Sequence, residues 1–285
     1  MSGFSAHWLS LREPVDHASR NPEVERAMLD CLKQRHGALL PNLRVIDLGC
    51  GSGSNFRALA PLFGTEQHWT LVDYDPELLL AAQQAIREWA EVVEFDEPGR
   101  LVIKRATQTM TIRFLQADLN QEIEAILRQE PHDLVTAAAL FDLISPTWIA
   151  RFCDLLTVPF YTVLTYDGRS QWQPQTAEDV TVVDGFHQHQ QTDKGFGVAA
   201  GPDAPQVLAE CLQSKQWQVV RGDSPWQLDS KHRLLLDLFH EGMAQAVRQM
   251  GIMDQAQLSN WLASRQDVTQ CLVGHEDTFA MPSVN

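Results

Sequence analysis

Residues 45–55 read Val45-Ile46-Asp47-Leu48-Gly49-Cys50-Gly51-Ser52-Gly53-Ser54-Asn55. The apolar run that leads into this stretch, from Leu43 to Leu48, predicts a short buried strand. Glycine then occupies three alternating positions, which lets the backbone turn tightly and lets a ligand approach main-chain N–H groups with no Cβ in the way. The stretch therefore predicts a strand, a ligand-binding loop and a helix in succession.

The spacing of the glycines separates two classes of ligand. Dinucleotide-binding loops have the pattern G-x-G-x-x-G/A, whereas this loop is G-x-G-x-G and has Ser54 where a dinucleotide loop has Gly or Ala. Asp47 lies two residues before the first glycine, where its charge would repel a pyrophosphate and attract a cationic amino-acid group. The loop therefore favours a ligand with a cationic amino-acid moiety.

The rest of the chain alternates strands with helices. Apolar runs predict five core strands, at 43–48, 68–73, 109–115, 133–138 and 160–166. A β excursion with a turn at Glu97-Pro98-Gly99 is expected within residues 92–115. Parallel strands joined by helices use right-handed crossovers, so the alternation predicts an α/β fold with a doubly wound, mostly parallel sheet.

The loop and the later acids together resemble the class I S-adenosylmethionine-dependent methyltransferases, whose first motif is acid-x-G-x-G-x-G after the first strand. Asp73 ends the second strand, where that family has an acid that binds both ribose hydroxyls. Asp118 and Leu119 follow the third strand, where the family binds adenine. Ala138 ends the fourth strand, which in the family lies beside the donor methyl. The resemblance covers about residues 43–166.

The resemblance implies a methyltransferase with S-adenosylmethionine as its cofactor. It implies that the cofactor is bound by Asp47, Gly49, Cys50, Gly51, Gly53, Asn55, Asp73, Tyr74, Asp118, Leu119 and Ala138. Asp118 is also placed to cap the following helix, and Tyr74 either packs on adenine or lies on the surface. Asp75 directly precedes Pro76, so we expect Asp75 to cap a helix and Asp73 to bind the ligand.

The predicted organisation is a single folding unit with three parts. Residues 1–41 form an N-terminal helical segment, residues 42–170 the Rossmann-like cofactor-binding core, and residues 171–285 a cap insertion followed by the end of the sheet. The polar stretch 171–201 is expected to cover the active site as a helical cap. The resemblance implies a seven-stranded sheet whose last strand is antiparallel, with 217–221 paired to 276–281.

Candidates for catalysis follow the fourth and fifth strands or lie in the cap, because open α/β sheets bind ligands at the carboxyl ends of their strands. A general base is needed only if the acceptor arrives protonated, and the candidates are His187, His189 and Tyr166. The candidate acceptor-binding residues are Asp142, Asp167 and Lys194. A solvated helix end and turn is the alternative interpretation of the polar cluster 187–197. Two histidines two residues apart face different ways on a helix, and we predict no metal site.

Five aromatic residues either wall an acceptor pocket or pack in the core and the cap. They are Trp148, Trp172, Phe186, Phe196 and Trp226. Core packing is the more common role for tryptophan, so we expect more of them in the core than in a pocket.

The charge of the chain narrows the class of acceptor. It has 22 basic and 37 acidic residues, a net charge of −15, so its surface field repels nucleic-acid phosphates. Residues 137–142 read Ala137-Ala138-Ala139-Leu140-Phe141-Asp142, without the Asn/Asp-Pro-Pro-aromatic motif of the family's nucleobase amino-methyltransferases. We therefore predict a small-molecule acceptor and no nucleic-acid partner.

The sequence also bears on the cellular location of the protein, and it leaves two alternative functions open. No apolar run approaches the roughly 20 residues that span a bilayer, and no secretory pattern opens the chain, so we predict a cytoplasmic protein without a membrane partner. Five widely spaced cysteines are typical of reduced thiols. The oligomeric state is open, a homodimer included. An NAD(P)-dependent oxidoreductase and a non-catalytic S-adenosylmethionine-binding partner subunit stay open as alternative functions.

Overall fold

A computed structural model describes residues 5–129 and 132–283 of the chain. The strands in these residues are β1 (Leu43–Leu48), β2 (Glu66–Asp73), β3 (Val92–Glu97), β4 (Arg100–Arg105), β5 (Gln108–Gln116), β6 (Leu134–Ala138), β7 (Phe160–Gln173), β8 (Trp217–Asp223), β9 (Trp226–Asp229) and β10 (Gln270–Pro282). The helices are α1 (Ala6–Ser19), α2 (Pro22–His36), α3 (Ser54–Leu59), α4 (Pro76–Trp89), α5 (Leu119–Gln129), α6 (Pro146–Leu155), α7 (Asp179–Gln190), α8 (Ala204–Ser214), α9 (Arg233–Met250) and α10 (Gln255–Ser264). None of these helices is both long and apolar enough to cross a membrane.

The strands form one sheet in the order β3-β4-β5-β2-β1-β6-β7-β10-β8. The run from β5 to β7 is parallel throughout, which confirms the doubly wound α/β fold predicted from the alternation of strands and helices. β10 is antiparallel to both β7 and β8, and Thr278 lies opposite Arg221. The antiparallel last pair implied by the resemblance is therefore present.

The sheet has ten strands within the described residues, so the predicted number of seven was wrong. Two of the additional strands, β3 and β4, form a hairpin on the edge of β5 at the place of the predicted β excursion. Gly99 occupies the turn of this hairpin with φ at +78°. The third, β9, pairs with the first part of β10 and has only four residues, too few for an alternating pattern to stand out in the sequence.

The polar stretch expected to form a cap begins later than predicted. β7 continues to Gln173 because the first part of β10 pairs with it, with Cys271 opposite Trp172. The Trp172 side chain is buried and its Nε1 donates to His240 Nε2 at 2.9 Å, so residues 171–173 belong to the sheet and Trp172 to the core. The helix expected within this stretch is α7, which packs against α9 and β7.

Hydrophobic layers cover both faces of the sheet. One layer contains α5, α6 and α8, and the other contains α2, α3, α4, α9 and α10. The central strands β1 and β6 are buried along almost their whole length. Strands covered on both faces leave only their ends for polar side chains, so the carboxyl edge of the sheet is where a site can form.

Candidate active site

The glycine loop joins β1 to α3 at the carboxyl edge of the sheet. Gly49, Gly51 and Gly53 have φ values of +64°, +53° and +77°, a conformation that strains any residue with a Cβ. A Cβ at Gly49 would lie 3.0 Å from Leu140 Cδ1, and one at Gly51 would lie 3.1 Å from Leu9 Cδ1. Both backbone conformation and close neighbours therefore require glycine in this loop.

Asp73 ends β2, and its carboxylate is bound to the glycine loop. The Gly51 amide donates to Asp73 Oδ2 at 2.8 Å, and the Asp75 amide donates to Asp73 Oδ1 at 3.0 Å. Burial raises the pKa of Asp73, although these hydrogen bonds oppose the rise. Asp75 accepts from the Glu77 amide at 2.8 Å and caps α4, which confirms the cap expected at Asp75.

Asp47 is fully buried within β1 and belongs to a polar network. Asn55 Nδ2 donates to Asp47 Oδ1 at 2.7 Å and to Thr136 Oγ1 at 3.1 Å. Arg20 Nη2 donates to Asn55 Oδ1 at 2.8 Å. This hydrogen bond connects the turn between α1 and α2 to α3, and through Asn55 to Asp47 in β1. Burial raises the pKa of Asp47 to about 7, while Asn55 and Arg20 act to lower it. Sequence reasoning missed Arg20, because nothing near it in the chain marks its partner.

Cys50, Tyr74 and Ala138 differ in their surroundings. The Cys50 amide donates to the Val72 carbonyl at 2.9 Å, which holds the glycine loop against β2, and burial raises the pKa of its thiol. The Tyr74 side chain is 53% exposed, so both roles considered for it stay open. Ala138 ends β6 and packs partly buried against the hydrophobic core.

Asp118 is bound to the first turn of α5. Its Oδ1 accepts from the Asn120 amide at 2.9 Å, and its Oδ2 accepts from Gln121 Nε2 at 2.9 Å. Leu119 is buried, and its carbonyl accepts from Trp148 Nε1 at 3.2 Å. The capping role considered for Asp118 is therefore present, and a role in binding adenine stays a prediction.

Helix α1 lies over the glycine loop, a placement that sequence reasoning missed. His17 Nε2 lies 3.1 Å from the Ser54 carbonyl oxygen and 3.0 Å from Ser54 Oγ. Arg57 Nε donates to Glu13 Oε1 at 2.9 Å, and Arg57 Nη1 donates to the Ser52 carbonyl at 2.8 Å. The helical pattern of residues 6–19 predicted the helix, but it carried no signal for the partner of Glu13.

Asp142 follows β6 in a short 3-10 helix, beside the end of α7. Gln190 Nε2 lies 3.5 Å from Asp142 Oδ2. Asp142 Oδ1 and Gln190 Oε1 are both buried without a hydrogen-bond partner in residues 5–129 and 132–283. Burial raises the pKa of Asp142 to about 6, and the Arg12 guanidinium on α1 acts to lower it. Gln190 was missed as an individual residue, although it lies in the polar cluster 187–197.

Tyr166 and His187 contact each other, and Asp142 lies close enough for its charge to act on Tyr166. The Tyr166 hydroxyl lies 3.1 Å from both His187 Nε2 and Ser170 Oγ. His187 Nε2 also lies 3.1 Å from the Gly168 carbonyl, which can only accept, so Nε2 carries the proton and Nδ1 is the basic nitrogen. Burial lowers the pKa of His187 and raises that of Tyr166, and the charge of Asp142 adds to the rise at Tyr166.

His189, Lys194 and Asp167 are engaged elsewhere. His189 Nε2 hydrogen-bonds Gln249 Oε1 at 2.8 Å, and its Nδ1 lies 3.5 Å from Lys194 Nζ. Asp167 accepts from Arg169 Nε at 2.9 Å within β7. The structure therefore brings Tyr166 and His187 into contact, with Asp142 close enough to Tyr166 to raise its pKa. His189 and Lys194 lie against each other instead, and Asp167 pairs with Arg169.

The aromatic candidates divide between core and surface packing. Trp148, Trp172 and Trp226 are buried, and Trp226 Nε1 donates to Asp16 Oδ1 at 2.9 Å. Phe186 packs edge-on against Tyr166, and Phe196 packs edge-on against Trp148, both partly buried. The three tryptophans therefore have the core role that the sequence favoured.

The part of the chain that contains most of these residues matches a known protein family. Residues 39–154, which contain the glycine loop, Asp73, Asp118 and Asp142, match the model of a family described as a methyltransferase domain. Residues 39–154 of the chain therefore carry a methyltransferase domain. The elements α1, β7 and α7 lie entirely outside the matched residues of this methyltransferase domain.

Solved structures are similar to the methyltransferase in fold. The YcgJ protein from Bacillus subtilis is 12% identical with a TM-score of 0.50, over 93% of this chain and 100% of that chain. The cyclopropane synthase MmaA2 from Mycobacterium tuberculosis is 14% identical with a TM-score of 0.48, over 98% and 95%. A methyltransferase from Geobacter sulfurreducens in complex with S-adenosylhomocysteine is 16% identical with a TM-score of 0.46, over 99% and 100%. No curated protein sequence matches the chain significantly. At such identities the likeness to YcgJ establishes the shared fold.

Proposed function

We propose that this methyltransferase transfers the methyl group of S-adenosylmethionine to a small-molecule acceptor. The observation that carries the proposal is the bond between the glycine loop and the acid at the end of β2. Three glycines with positive φ leave the loop without side chains, and Asp73 is held against it by the Gly51 amide. A loop without side chains lets a ligand approach the backbone amides, and a fixed carboxylate can accept from ribose hydroxyls. The two together fit a ligand that combines a cationic amino-acid group with a ribose.

Each cofactor contact is assigned from the sites just described. Asp73 is proposed to accept from the ribose hydroxyls, since each of its oxygens keeps lone pairs beside its backbone donor. Asp47, whose Oδ2 has no partner in the described chain, is proposed to attract the cationic amino group. Gly49, Cys50, Gly51 and Gly53 are proposed to line the cofactor, Asn55 to orient Asp47, and Ala138 to lie near the methyl. Adenine is proposed to be bound by Tyr74, Asp118 and Leu119.

The chemistry is a displacement at carbon. Bound S-adenosylmethionine supplies an electrophilic methyl carbon on a sulfonium sulfur. A lone pair of the acceptor forms the new bond to that carbon, the carbon–sulfur bond breaks, and its electron pair stays on sulfur, which leaves S-adenosylhomocysteine. The task of the chain is to hold the acceptor in line with the breaking bond, because orientation supplies most of the acceleration in such a reaction.

His187 is proposed as the base for an acceptor that arrives protonated. Its lowered pKa keeps the imidazole neutral near pH 7, and its Nδ1 is the nitrogen with a free lone pair. Tyr166 is proposed to orient His187 through the 3.1 Å contact between its hydroxyl and Nε2. The roles suggested for His189, Asp167 and Lys194 stay predictions.

A small acceptor is supported by what flanks the site. α1 covers the glycine loop, and α7 brings Gln190 to Asp142 after β6 and His187 to Tyr166 in β7. The net charge of −15 disfavours a nucleic acid. A cytoplasmic location belongs to the same proposal and is supported by five cysteines that are all free thiols.

The test is calorimetric titration of the full chain with S-adenosylmethionine, S-adenosylhomocysteine and NADH. We expect the first two to bind. Asp73→Ala should weaken both by on the order of 100-fold, because it removes charge-assisted hydrogen bonds to the ribose. Asp75→Ala is the matched control: it removes a helix cap and costs about 1 kcal/mol of stability, with an unchanged Kd.

Two outcomes contradict the proposal. Binding of NADH without binding of S-adenosylmethionine would favour the alternative function, an NAD(P)-dependent oxidoreductase. Binding of S-adenosylmethionine without any label transfer from the methyl-labelled cofactor to a small-molecule extract would favour a non-catalytic partner subunit.

A further inference from the structure

Two buried oxygen atoms just after β6 and at the end of α7 have no hydrogen-bond donor among the described residues. Asp142 is 9% exposed and Gln190 is 7% exposed. Asp142 Oδ1 and Gln190 Oε1 have no hydrogen-bond partner within residues 5–129 and 132–283. Unpaired buried oxygens are costly for the folded state, so a pair of them in one place indicates that donors come from a ligand.

The orientation of the Gln190 amide is fixed by its neighbour. Its Nε2 faces Asp142 Oδ2 at 3.5 Å, so the two side chains already point toward each other. Turning the amide over would place Oε1 against the carboxylate and bring two acceptors together. Gln190 Oε1 therefore stays available as an acceptor beside Asp142 Oδ1.

Arg12, whose charge acts on Asp142, makes its own contacts elsewhere. Arg12 Nε donates to Asp16 Oδ2 at 2.8 Å, and the Arg12 guanidinium lies 5.1 Å from the ring centroid of Trp226. Arg12 influences Asp142 through its charge and not through a hydrogen bond to Oδ1. Asp142 Oδ1 is thus left without a donor among the described residues.

The pair lies next to the reacting end of the site. Leu140, two residues before Asp142, is the side chain that a Cβ at Gly49 would touch. Tyr166, which contacts the proposed base His187, is close enough to Asp142 for its pKa to be raised by that charge. A group bound by Asp142 and Gln190 is therefore held between the glycine loop and the proposed base.

We propose that Asp142 and Gln190 bind a positively charged, N–H-bearing nitrogen of the acceptor, which makes the acceptor a small amine. The inference rests on the proposed function and names its substrate class. An ammonium group offers N–H donors to both free oxygens and a charge that compensates the carboxylate. A carboxylate or phosphate would instead bring like charge to Asp142. The raised pKa of Asp142 agrees with a carboxylate that lacks its cation in the absence of the acceptor.

The test divides a small-molecule extract on a cation-exchange resin at acidic pH. The retained fraction contains the amines, and the unretained fraction contains neutral and acidic compounds. Each is incubated with the full chain and methyl-labelled S-adenosylmethionine, and labelled products are identified by mass spectrometry. We expect the label in the retained fraction.

Substitutions then locate the recognition. Asp142→Asn should raise the KM of the labelled acceptor by roughly tenfold or more, while the Kd of S-adenosylhomocysteine is unchanged. Gln190→Leu removes the second oxygen without altering the acid and should also raise KM, which keeps the test available if the first variant does not fold. The neighbouring pair Gln191 and Asp203 has the same chemistry at 3.4 Å but is exposed, so Asp203→Asn is the matched control and should change neither value.

Specific results overturn the inference. Label found only in the unretained fraction contradicts an amine acceptor, while S-adenosylhomocysteine binding leaves the proposed function standing. An Asp142→Asn variant that weakens S-adenosylhomocysteine as strongly as the acceptor makes Asp142 a cofactor ligand instead. Absence of S-adenosylhomocysteine binding to the unaltered chain contradicts the proposed function itself.

Discussion

Two buried acids lie at opposite ends of the candidate site, and they are held differently. Asp47, at the cofactor end, accepts a 2.7 Å hydrogen bond from Asn55, which Arg20 binds in turn. The contact that Asp142 makes with the Gln190 side chain at the acceptor end is longer, at 3.5 Å. Burial raises both pKa values, to about 7 for Asp47 and about 6 for Asp142.

The difference shows which hydrogen bonds of the two acids the fold itself supplies and which are left for a ligand to supply. At the cofactor end, backbone amides and a side-chain network fix the acids before anything binds. One carboxylate oxygen lacks a donor among the described residues at each end, Asp47 Oδ2 and Asp142 Oδ1, and at the acceptor end Gln190 Oε1 lacks one as well. A preformed cofactor site and an acceptor site that lacks its counter-charge are consistent with an enzyme whose specificity resides in a few side chains.

The largest expected effect is on stability, and it distinguishes the two acids. Each folded-state pKa is raised above the unfolded value, so the stability due to the protonated acid is complete below about pH 4 and is lost as the pH rises through the folded pKa. Asp47→Asn should therefore reduce the loss of unfolding free energy between pH 4 and pH 8 by about 4 kcal/mol, because the pKa rises from 3.8 to about 7. Asp142→Asn should reduce it by about 2 kcal/mol, because the rise is to about 6.

Urea denaturation of the unaltered chain and both variants at pH 4 and pH 8 measures these differences. Equal pH dependence in the chain and in Asp47→Asn would show that Asp47 is ionised in the native state at neutral pH. A larger effect at Asp142 than at Asp47 would reverse the comparison between the two ends.

The second prediction concerns the backbone of the cofactor end. Gly49→Ala and Gly99→Ala place a Cβ on residues with φ at +64° and +78°, so each should cost about 1–2 kcal/mol of stability. The Cβ of Gly49→Ala would lie in the glycine loop, 3.0 Å from Leu140 Cδ1. The Cβ of Gly99→Ala would lie in the β3–β4 turn, 3.6 Å from the Phe114 carbonyl oxygen, which is an ordinary van der Waals distance. Calorimetry should show S-adenosylmethionine binding weakened on the order of 10- to 100-fold by Gly49→Ala alone. Equal affinities in the two variants would mean that the loop does not contact the cofactor.

The cofactor end was readable from the sequence because its parts are contiguous. The alternating glycines, Asp47 and the pair Asp73 and Asp75 all lie within short stretches whose spacing states their geometry. The helix cap at Asp75 was predicted correctly because a proline follows it directly. The central parallel strands were predicted for the same reason, since strands buried on both faces are continuous apolar runs.

The acceptor end was only partly readable, because its parts meet through the fold. Asp142 stood out as an acid after a strand, but its neighbour Gln190 comes from α7, 48 residues later. Asp167 follows the same rule as Asp142, yet it pairs with Arg169 on its own strand, since β7 continues past the expected end. That extension depends on pairing with β10, a long-range event that no local pattern in β7 reports.

The smallest expected effect tests the helix that spans both ends. α1 carries Glu13, which binds Arg57 behind the glycine loop, and Arg12, which acts on Asp142. The Glu13 and Arg57 side chains are 20% and 8% exposed, so Glu13→Gln should cost about 1–2 kcal/mol of stability. The matched pair Glu124 and Arg128 on α5 is 43% and 73% exposed, and Glu124→Gln should cost less than about 0.5 kcal/mol.

If the Glu13–Arg57 ion pair holds α1 over the glycine loop, removing the pair should also increase the dissociation rate of the bound cofactor product. Stopped-flow displacement should show S-adenosylhomocysteine dissociating several-fold faster from Glu13→Gln than from Glu124→Gln, because Arg57 also binds the Ser52 carbonyl in the loop. An equal dissociation rate with a lower stability would make the pair a structural contact of α1 alone. A faster rate with unchanged acceptor KM would place the effect of α1 at the cofactor end and leave recognition by Asp142 independent of it.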